Sequence, residues 1–276
     1  MNELLIEATA QLHNAGVSRP RWTAEQLLSY QLGIQPIQLY LESQTPPQDR
    51  RSSFKAIVAA RAGGMPLQYL MGMASFYGRE FRVGPGVFIP RPETEILIDV
   101  VVDLLKRFPH HPPVVADVGT GSGAIAITLK REWPGIRMIG IDRSSLALSF
   151  AERNAREHQV DVRFVPGDLV EPLESGSVDL IVANLPYLDA GQAANWPPEL
   201  AWEPWLALDG GCRGMELIGV LIKRSPKVLR PGGRVVLEIG MEQAEDVCAA
   251  AVAHSFIVEK IVQDLAGLDR TVVLRL

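Results

Sequence analysis

The spacing of apolar residues divides the chain into a helical beginning and a longer stretch in which strands and helices alternate. In residues 1–14 the apolar positions 4, 5, 8 and 12 lie on one helical face. A second helix is predicted to open at Thr23, because Gln26 three residues later completes a capping box. A third is predicted over Arg50–Ala62. No strand-like alternation interrupts this part, which therefore indicates a small helical domain.

The pattern changes after residue 75. Residues 76–92, FYGREFRVGPGVFIPRP, mix aromatic and β-branched residues with glycine and proline, as a short hairpin or linker does. Beyond them, strands are predicted at 114–118, 138–141, 162–165, 178–183, 233–239, 256–262 and 271–276, and helices at 95–108, 124–131, 146–158, 215–229 and 243–253. Because parallel strands need crossover connections, this order predicts a doubly wound, Rossmann-like α/β sheet of seven strands.

The predicted organisation is a helical domain over 1–75, a hairpin linker over 76–92 and an α/β domain over 93–276. The length of 276 residues fits one large or two modest domains, and 47% apolar with 21% charged residues is the composition of a folded chain. The net charge of −5 gives no support to a protein that holds nucleic acid through its phosphates alone.

Cysteine and histidine usage predicts no metal site. Cys212 and Cys248 are far apart and lack a CxxC partner, and the histidines at 13, 110, 111, 158 and 254 show no metal-ligand spacing. Two free thiols are typical of a reducing cytoplasm. The first eleven residues lack a signal-peptide pattern, and no run of 18 apolar residues occurs. We therefore expect a soluble, cytoplasmic protein with no membrane association.

A glycine loop follows the first strand of the α/β part. It reads Asp117-Val-Gly-Thr-Gly-Ser-Gly123 and leads into a helix, whose first N–H groups are free to bind a ligand. Asp142 ends the next strand, nineteen residues further on, where a carboxylate accepts both hydroxyls of a ribose. The loop also satisfies the dinucleotide pattern G-x-G-x-x-A, so it predicts a nucleoside cofactor without identifying which one.

The turn Asn184-Leu185-Pro186-Tyr187 ends the fourth strand of the predicted sheet, where ligands of doubly wound sheets bind. The amide oxygen of Asn184 and the backbone carbonyl of Leu185 can together accept both hydrogens of a planar –NH₂ group. Pro186 stiffens the turn, and Tyr187 offers an aromatic face for stacking. This combination favours methylation of a planar, weakly nucleophilic nitrogen by a sulfonium methyl, because two acceptors stabilise the positive charge that grows on nitrogen.

These motifs resemble the amino-methyltransferase group of class I S-adenosylmethionine enzymes, and further segments resemble the peptide chain release factor glutamine N5-methyltransferases. The segments are Gly64-Met-Pro-Leu-Gln-Tyr69, Phe76-Tyr-Gly78, Ile89-Pro-Arg-Pro-Glu-Thr-Glu95, Glu203-Pro204 with Ala207-Leu208 and Gly210-Gly211, and Gly267-Leu-Asp269-Arg270. The similarity covers nearly the whole chain from about residue 61, and a helical N-terminal domain is also expected for that family. IPRPETE is its most specific element.

The resemblance implies methyl transfer from S-adenosylmethionine, leaving S-adenosylhomocysteine, to the glutamine of the Gly-Gly-Gln loop in class I release factors. The cofactor contacts it implies are Gly119, Thr120, Gly121, Ser122, Gly123, Asp142, Leu169 and Asn184. The substrate glutamine is expected to meet Asn184, Leu185, Pro186 and Tyr187, of which Asn184, Pro186 and Tyr187 are the predicted catalytic set. Nucleic acid is not expected as the substrate.

Two positions depart from the family pattern. Leu185 stands where the family usually has proline, and Leu169 stands where it usually has an aromatic residue, which weakens the expected adenine contact.

Asn-Leu-Pro-Tyr is the form that resembles ribosomal RNA adenine-N6 dimethyltransferases, but those enzymes place a basic helical domain after the cofactor domain. DNA adenine methyltransferases need a base-reading insertion that is not visible here. The third alternative is a cofactor-binding adaptor without catalysis.

A few other residues carry weaker expectations. Arg50, Arg51, Lys55 and Arg61 are predicted to form a solvated helix face. Trp196, Trp202 and Trp205 are predicted to cluster, either as a lid over a peptide or at the base of their loop. Arg91 and Glu93 are equally compatible with a pocket and with an interdomain role. Glu238 is predicted to be buried in a hydrogen-bond network.

Overall fold

The chain forms two compact units. The computed structural model describes residues 2–41, 46–107 and 112–276. One unit comprises Met1–Met73 with Pro197–Trp202, and the other comprises Ala74–Trp196 with Glu203–Leu276. That residues 197–202 belong to the first unit was not predicted from the sequence, and the domain limits at 75 and 92 stay a prediction. Within the described ranges, no helix has the length and apolar character that crossing a membrane requires.

The first unit is helical, as predicted. Its helices are α1 (Asn2–Asn14), α2 (Pro20–Leu32), α3 (Gln48–Ala62) and α4 (Leu67–Met71). Its core contains Leu5, Leu12, Leu27, Leu28, Phe54 and Val58. The predicted start at Thr23 is wrong. Helix α2 begins three residues earlier because Pro20 stands in its first turn, where its fixed φ favours the helix and its missing N–H costs nothing.

Arg61, at the end of α3, also departs from expectation. It is 6% exposed rather than solvated. Its guanidinium donates to the carboxylate of Glu199 and, at 3.0 Å, to the carbonyl oxygen of Met65. Since a buried cation requires partners of this kind, Arg61 connects Glu199 of the 197–202 segment to the end of α3.

A two-stranded hairpin follows the helices. Strands β1 (Met73–Phe76) and β2 (Arg79–Arg82) are joined by Tyr77 and Gly78, which both have positive φ, at 50° and 68°. Two consecutive residues of this kind make the type I′ turn that matches the twist of a hairpin. The predicted hairpin is therefore present and begins three residues earlier than the sequence indicated.

The predicted seven-stranded α/β fold is confirmed. Its strands are β3 (Val114–Val118), β4 (Arg137–Asp142), β5 (Arg163–Pro166), β6 (Val178–Ala183), β7 (Leu229–Glu238), β8 (Ile257–Gln263) and β9 (Asp269–Arg275). Their order is β5-β4-β3-β6-β7-β9-β8, with β9 antiparallel to both neighbours and the others parallel. The helices are α5 (Glu95–Leu105), α6 (Ala124–Glu132), α7 (Ser145–Glu157), α8 (Glu216–Val228) and α9 (Ala244–Ala253). The predicted end of α5 at Phe108 lies outside the described residues.

Helices cover both faces of the sheet. Side chains that alternate along each central strand enter one of two cores, one shared with α5, α6 and α7 and the other with α8 and α9. The strand order reverses between β3 and β6, which are paired in parallel with Val118 opposite Ala183. The carboxyl ends of these two strands are where a doubly wound sheet binds its ligand.

Residues 208–216 pack closely against the turn that follows β6. The Gly210 N–H donates to the carbonyl of Leu188 at 2.9 Å. Gly214 has φ +69°, and a Cβ there would lie 1.9 Å from the carbonyl oxygen of Tyr187 and 2.5 Å from Nε2 of Gln243. Only glycine allows this approach, so Gly214 helps to hold the turn against the sheet.

We expect Gly214→Ala to lower the free energy of unfolding by roughly 2 to 4 kcal/mol, through the collision with Tyr187 and the positive φ. Gly219 in α8 is the matched control, because a Cβ there would meet nothing within 4 Å. Gly219→Ala should stabilise the chain by about 0.5 to 1 kcal/mol through helix propensity. Urea denaturation measures both, and an unchanged midpoint for Gly214→Ala contradicts the proposed packing.

Candidate active site

The glycine loop wraps around the carboxyl end of β4. The N–H groups of Gly119 and Thr120 both donate to the carbonyl oxygen of Ile141, at 2.8 and 2.9 Å. The Gly121 N–H donates to Oδ2 of Asp142 at 2.9 Å. Gly119, Gly121 and Gly123 all have positive φ, between 55° and 79°. The loop and the ribose-binding candidate predicted from the sequence are therefore joined by a direct hydrogen bond.

Asp142 has both carboxylate oxygens oriented by backbone N–H groups, since Oδ1 accepts from Ser144 at 2.9 Å. Each oxygen keeps a further lone pair with which to accept from a hydroxyl group. Gly121 faces open space. A Cβ added to it would meet, among the described residues, just the Gly119 carbonyl oxygen, at 4.0 Å. An oriented carboxylate beside open glycine backbone fits a nucleoside cofactor.

Thr120 and Ser122 are buried, 5% and 3% exposed, and each is held by hydrogen bonds within the protein. The Thr120 hydroxyl donates to Oδ2 of Asp117 at 2.7 Å, and the Ser122 carbonyl accepts from Asn154 at 2.8 Å. Asn154 is fully buried and was not predicted from the sequence, because it lies more than thirty residues beyond the loop.

Asp117 is a buried acid beneath this loop. Its Oδ2 accepts from Thr120 and from the Ala126 N–H at 3.2 Å, while Oδ1 is buried with no partner among the described residues. Burial raises the pKa of Asp117 to about 7, against the lowering effect of these two hydrogen bonds. Asp117 therefore fixes the start of α6 relative to the loop.

Leu169 is placed differently from a typical nucleoside contact. It is 7% exposed, and its side chain belongs to the core shared with α8 and α9. Its φ of 50° is uncommon for leucine and marks a constrained backbone. Its assignment to the cofactor stays a prediction.

Asn184 follows β6 directly. Its Nδ2 donates to the hydroxyl oxygen of Thr94 at 3.0 Å. Among the described residues, no donor binds the Asn184 Oδ1 or the carbonyl oxygen of Leu185. Two acceptors without a protein donor among the described residues therefore lie on consecutive residues at the carboxyl end of the strand, and their role toward a substrate stays a prediction.

The side chain of Leu185 is turned into the protein. It is 4% exposed, and its Cδ2 would lie 3.1 Å from a Cβ at Gly119. The following residue, Pro186, is half-buried. Leu185 therefore packs the turn against the glycine loop. What it shares with a proline at this position is the backbone carbonyl.

Tyr187 is half-buried, and its hydroxyl donates to Oε1 of Glu238 at 3.3 Å. Its carbonyl oxygen accepts from Nε2 of Gln243 at 3.0 Å. Burial and the Glu238 carboxylate raise the pKa of the Tyr187 phenol above its ordinary value. Both ends of the residue are thus held, which fixes the plane of the ring.

Glu238, at the end of β7, is buried in a hydrogen-bond network as predicted. It is 1% exposed, and Oε2 has no hydrogen-bond partner among the described residues. Burial raises its pKa to about 7, offset in part by Thr94, Arg270 and Tyr187 and reinforced by Glu93. Thr94, whose hydroxyl accepts from Asn184, lies within the IPRPETE motif and was not predicted as a site residue from the sequence.

Glu203 holds the first half of that motif. Its Oε2 accepts from the Ile89 N–H at 3.0 Å, and its Oε1 accepts from Arg91, although 112 residues separate it from Arg91. Arg91 also lies over the ring of Phe88, 4.9 Å from its centroid. Glu203, which is 1% exposed in its side chain, thereby fixes the segment that delivers Thr94.

The three tryptophans that follow the Tyr187 turn belong to both units. Trp196 and Trp205 stack with ring centroids 5.1 Å apart, and the Trp205 indole donates to Asp209. Trp202 belongs to the first unit, where it lies beside Gly64. His110 and His111, for which no metal role was predicted, lie outside the described residues.

Glu238 gives the fold a measurable pH dependence. Because its pKa is raised to about 7 from an ordinary 4.5, the folded chain holds a proton there that the unfolded chain has released between these pH values. The free energy of unfolding therefore falls as pH rises through this window, by up to about 1.4 kcal/mol per pH unit for one group. We expect Glu238→Gln to flatten this slope in urea titrations from pH 4.5 to 7.5. Parallel curves for wild type and variant contradict the prediction.

Two family models match the chain. The methyltransferase small domain covers residues 83–197, and the PrmC N-terminal domain covers residues 3–72. A solved methyltransferase from Pyrococcus furiosus is 16% identical with a TM-score of 0.54, over 83% of this chain and 98% of that one. The ribosomal protein L11 methylase of Lactobacillus delbrueckii is 24% identical with a TM-score of 0.50, over 71% and 83%. These likenesses show a methyltransferase fold.

Sequence relatives are more specific. The release factor glutamine methyltransferase of Geobacter sulfurreducens is 36% identical over 95% of this chain and 91% of its own length. The protein of the same name from Moorella thermoacetica is 38% identical over 98% and 96%. Identity of this level over nearly the full length of both proteins confirms the predicted family. The chain belongs to the release factor glutamine methyltransferases.

Proposed function

We propose that this chain transfers a methyl group from S-adenosylmethionine to the side-chain amide nitrogen of a glutamine, that of the Gly-Gly-Gln motif in class I peptide chain release factors. The observation that carries the proposal is the pair of available acceptors, Asn184 Oδ1 and the Leu185 carbonyl oxygen, at the carboxyl end of β6. The names of the curated relatives support the substrate class.

S-adenosylmethionine supplies an electrophilic sulfonium methyl when bound. Asp142 is the residue proposed to accept its ribose hydroxyls, because both carboxylate oxygens are already oriented by the backbone. The backbone of Gly119–Gly123 is proposed to line the amino acid part, since its three glycines have no side chain and adopt positive φ. Leu169 completes the proposed cofactor set through its constrained backbone.

The amide of glutamine is planar, and its nitrogen is a weak nucleophile because its lone pair is delocalised. Asn184 Oδ1 and the Leu185 carbonyl are proposed to accept its two N–H hydrogens. They hold the nitrogen in place and stabilise the positive charge that develops on it as the new N–C bond forms. The surplus proton leaves to water after transfer, so the residues of the turn need not act as a general base.

Pro186 and Tyr187 complete the proposed substrate site. Pro186 restricts the backbone of the turn, so the two acceptors keep their separation. The ring of Tyr187, held by Glu238 and Gln243, offers a flat surface for the amide plane. A release factor acts on the ribosome, so the reaction is proposed to occur in the cytoplasm.

The substrate is tested by incubating the purified chain and labelled S-adenosylmethionine with unmethylated release factor and, separately, with undermethylated ribosomal RNA. We expect label on the release factor, lost when the glutamine of its Gly-Gly-Gln motif is replaced by alanine. Label on RNA alone overturns the proposal and assigns the chain to adenine methylation. Cofactor binding without label on either substrate favours an adaptor.

The division of labour between Asn184 and Asp142 gives a paired prediction. Asn184→Ala should lower kcat on the order of 10²-fold, as the loss of one transition-state hydrogen bond does, and leave the Kd for S-adenosylmethionine within a few-fold of wild type. Asp142→Ala should weaken cofactor binding instead. Steady-state kinetics and calorimetric titration of the cofactor separate the two effects. Unchanged turnover in Asn184→Ala contradicts the mechanism.

A further inference from the structure

Thr94 connects the IPRPETE motif to the proposed catalytic turn. It is 2% exposed and ends a short 3₁₀ turn, Pro92–Thr94. Its hydroxyl oxygen accepts from Nδ2 of Asn184 at 3.0 Å, across a sequence separation of 90 residues. Ion pairing of Arg91 with Glu203 and the bond from Ile89 to the same carboxylate hold the preceding residues in place. A buried hydroxyl is therefore delivered to Asn184 by a fixed segment.

The carboxamide of Asn184 has two ends of nearly equal shape and opposite hydrogen-bonding character. A threonine hydroxyl can pair with either end, because it can donate or accept. Which end it takes depends on where its own hydrogen goes. If the hydroxyl hydrogen is used elsewhere, only the lone pairs remain for Asn184, and only Nδ2 can bind them.

In the structure, Nδ2 is the end of the carboxamide that binds the Thr94 oxygen, at 3.0 Å. The two ends of a carboxamide turn together, so a bond from Nδ2 to a buried hydroxyl on a fixed segment restrains the whole group. Among the described residues no donor binds Oδ1, which is the end left for the substrate.

We propose that Thr94 is a positioning residue, whose buried hydroxyl oxygen holds Nδ2 of Asn184 and so fixes the carboxamide in the orientation that leaves Oδ1 to the substrate. The consequence for turnover rests on the proposed function. The reverse orientation would present the N–H groups of Asn184 to the N–H groups of a substrate amide, which are both donors. Setting the orientation before substrate binds avoids that mismatch and removes a reorganisation step from the reaction.

The kinetic test compares Thr94→Val, which keeps the shape and removes the hydroxyl, with Thr94→Ser, which keeps the hydroxyl. We expect Thr94→Val to lower kcat for the release factor about 10- to 100-fold, with the KM for S-adenosylmethionine within about twofold of wild type. Thr94→Ser should recover most of the activity. Equal losses in both variants mean that Thr94 only packs, which overturns the proposal.

Thr128→Val is the matched control. Thr128 is also fully buried, but its hydroxyl has no partner among the described residues, so removing it should leave kcat unchanged. Thr94→Ala is the second variant should Thr94→Val fold poorly, and a similar loss of kcat is expected because it also lacks the hydroxyl. Wild-type kcat in folded Thr94→Ala overturns the positioning role.

A second measurement needs no substrate. The side-chain ¹⁵N–H₂ resonances of Asn184, identified by their absence in Asn184→Ala, should exchange with solvent at least about tenfold more slowly in wild type than in Thr94→Val, because one N–H is held by a buried acceptor. If wild type methylates no release factor but this protection is present, the proposed function fails and the positioning role stands. Equal exchange rates in the two proteins overturn the positioning role.

Discussion

The parallel pairing of β3 with β6 is the interaction on which the site depends. At this pairing the strand order reverses, so the loops after the two strands diverge to opposite faces of the sheet and leave open space between them. Val118 lies opposite Ala183, and the residues that follow are the glycine loop and Asn184. Leu185 packs against Gly119 across this junction. The register of this one strand pair therefore determines where the cofactor loop and the substrate turn lie relative to each other.

Two buried acids lie at the same edge of the sheet, Asp117 near the end of β3 and Glu238 at the end of β7. Burial raises both pKa values to about 7, so each destabilises the fold when it is ionised. An apolar side chain at either position would remove that cost. What the acids supply is orientation: Asp117 fixes Thr120 and the start of α6, while Glu238 fixes Tyr187.

The sheet was predictable because its signal is local. Strand β6 is buried along its whole length, is apolar except for Asp179 and is bounded by polar residues, and both of its predicted limits match the structure. Contacts between distant segments carry no such signal. Arg61 and Glu199 are 138 residues apart, and Thr94 and Asn184 are 90 apart, so neither pair follows from spacing. The start of α2 was missed for another reason, since a capping-box match outweighed Pro20, which determines the local backbone.

Leu185 shows how little of the substrate choice lies in the turn itself. Its side chain is buried against the glycine loop, and its proposed contribution to the reaction is a backbone carbonyl, which any residue at this position supplies. The Asn-Leu-Pro-Tyr sequence therefore identifies the kind of nitrogen that is methylated, a planar –NH₂, and does not distinguish a glutamine amide from an adenine. That distinction has to come from residues outside the turn that recognise the molecule carrying the –NH₂ group. In this chain residues 3–72 match the PrmC N-terminal domain, and the similarity to release factor glutamine methyltransferases extends over nearly the whole length, so the whole chain decides the family where the turn alone does not.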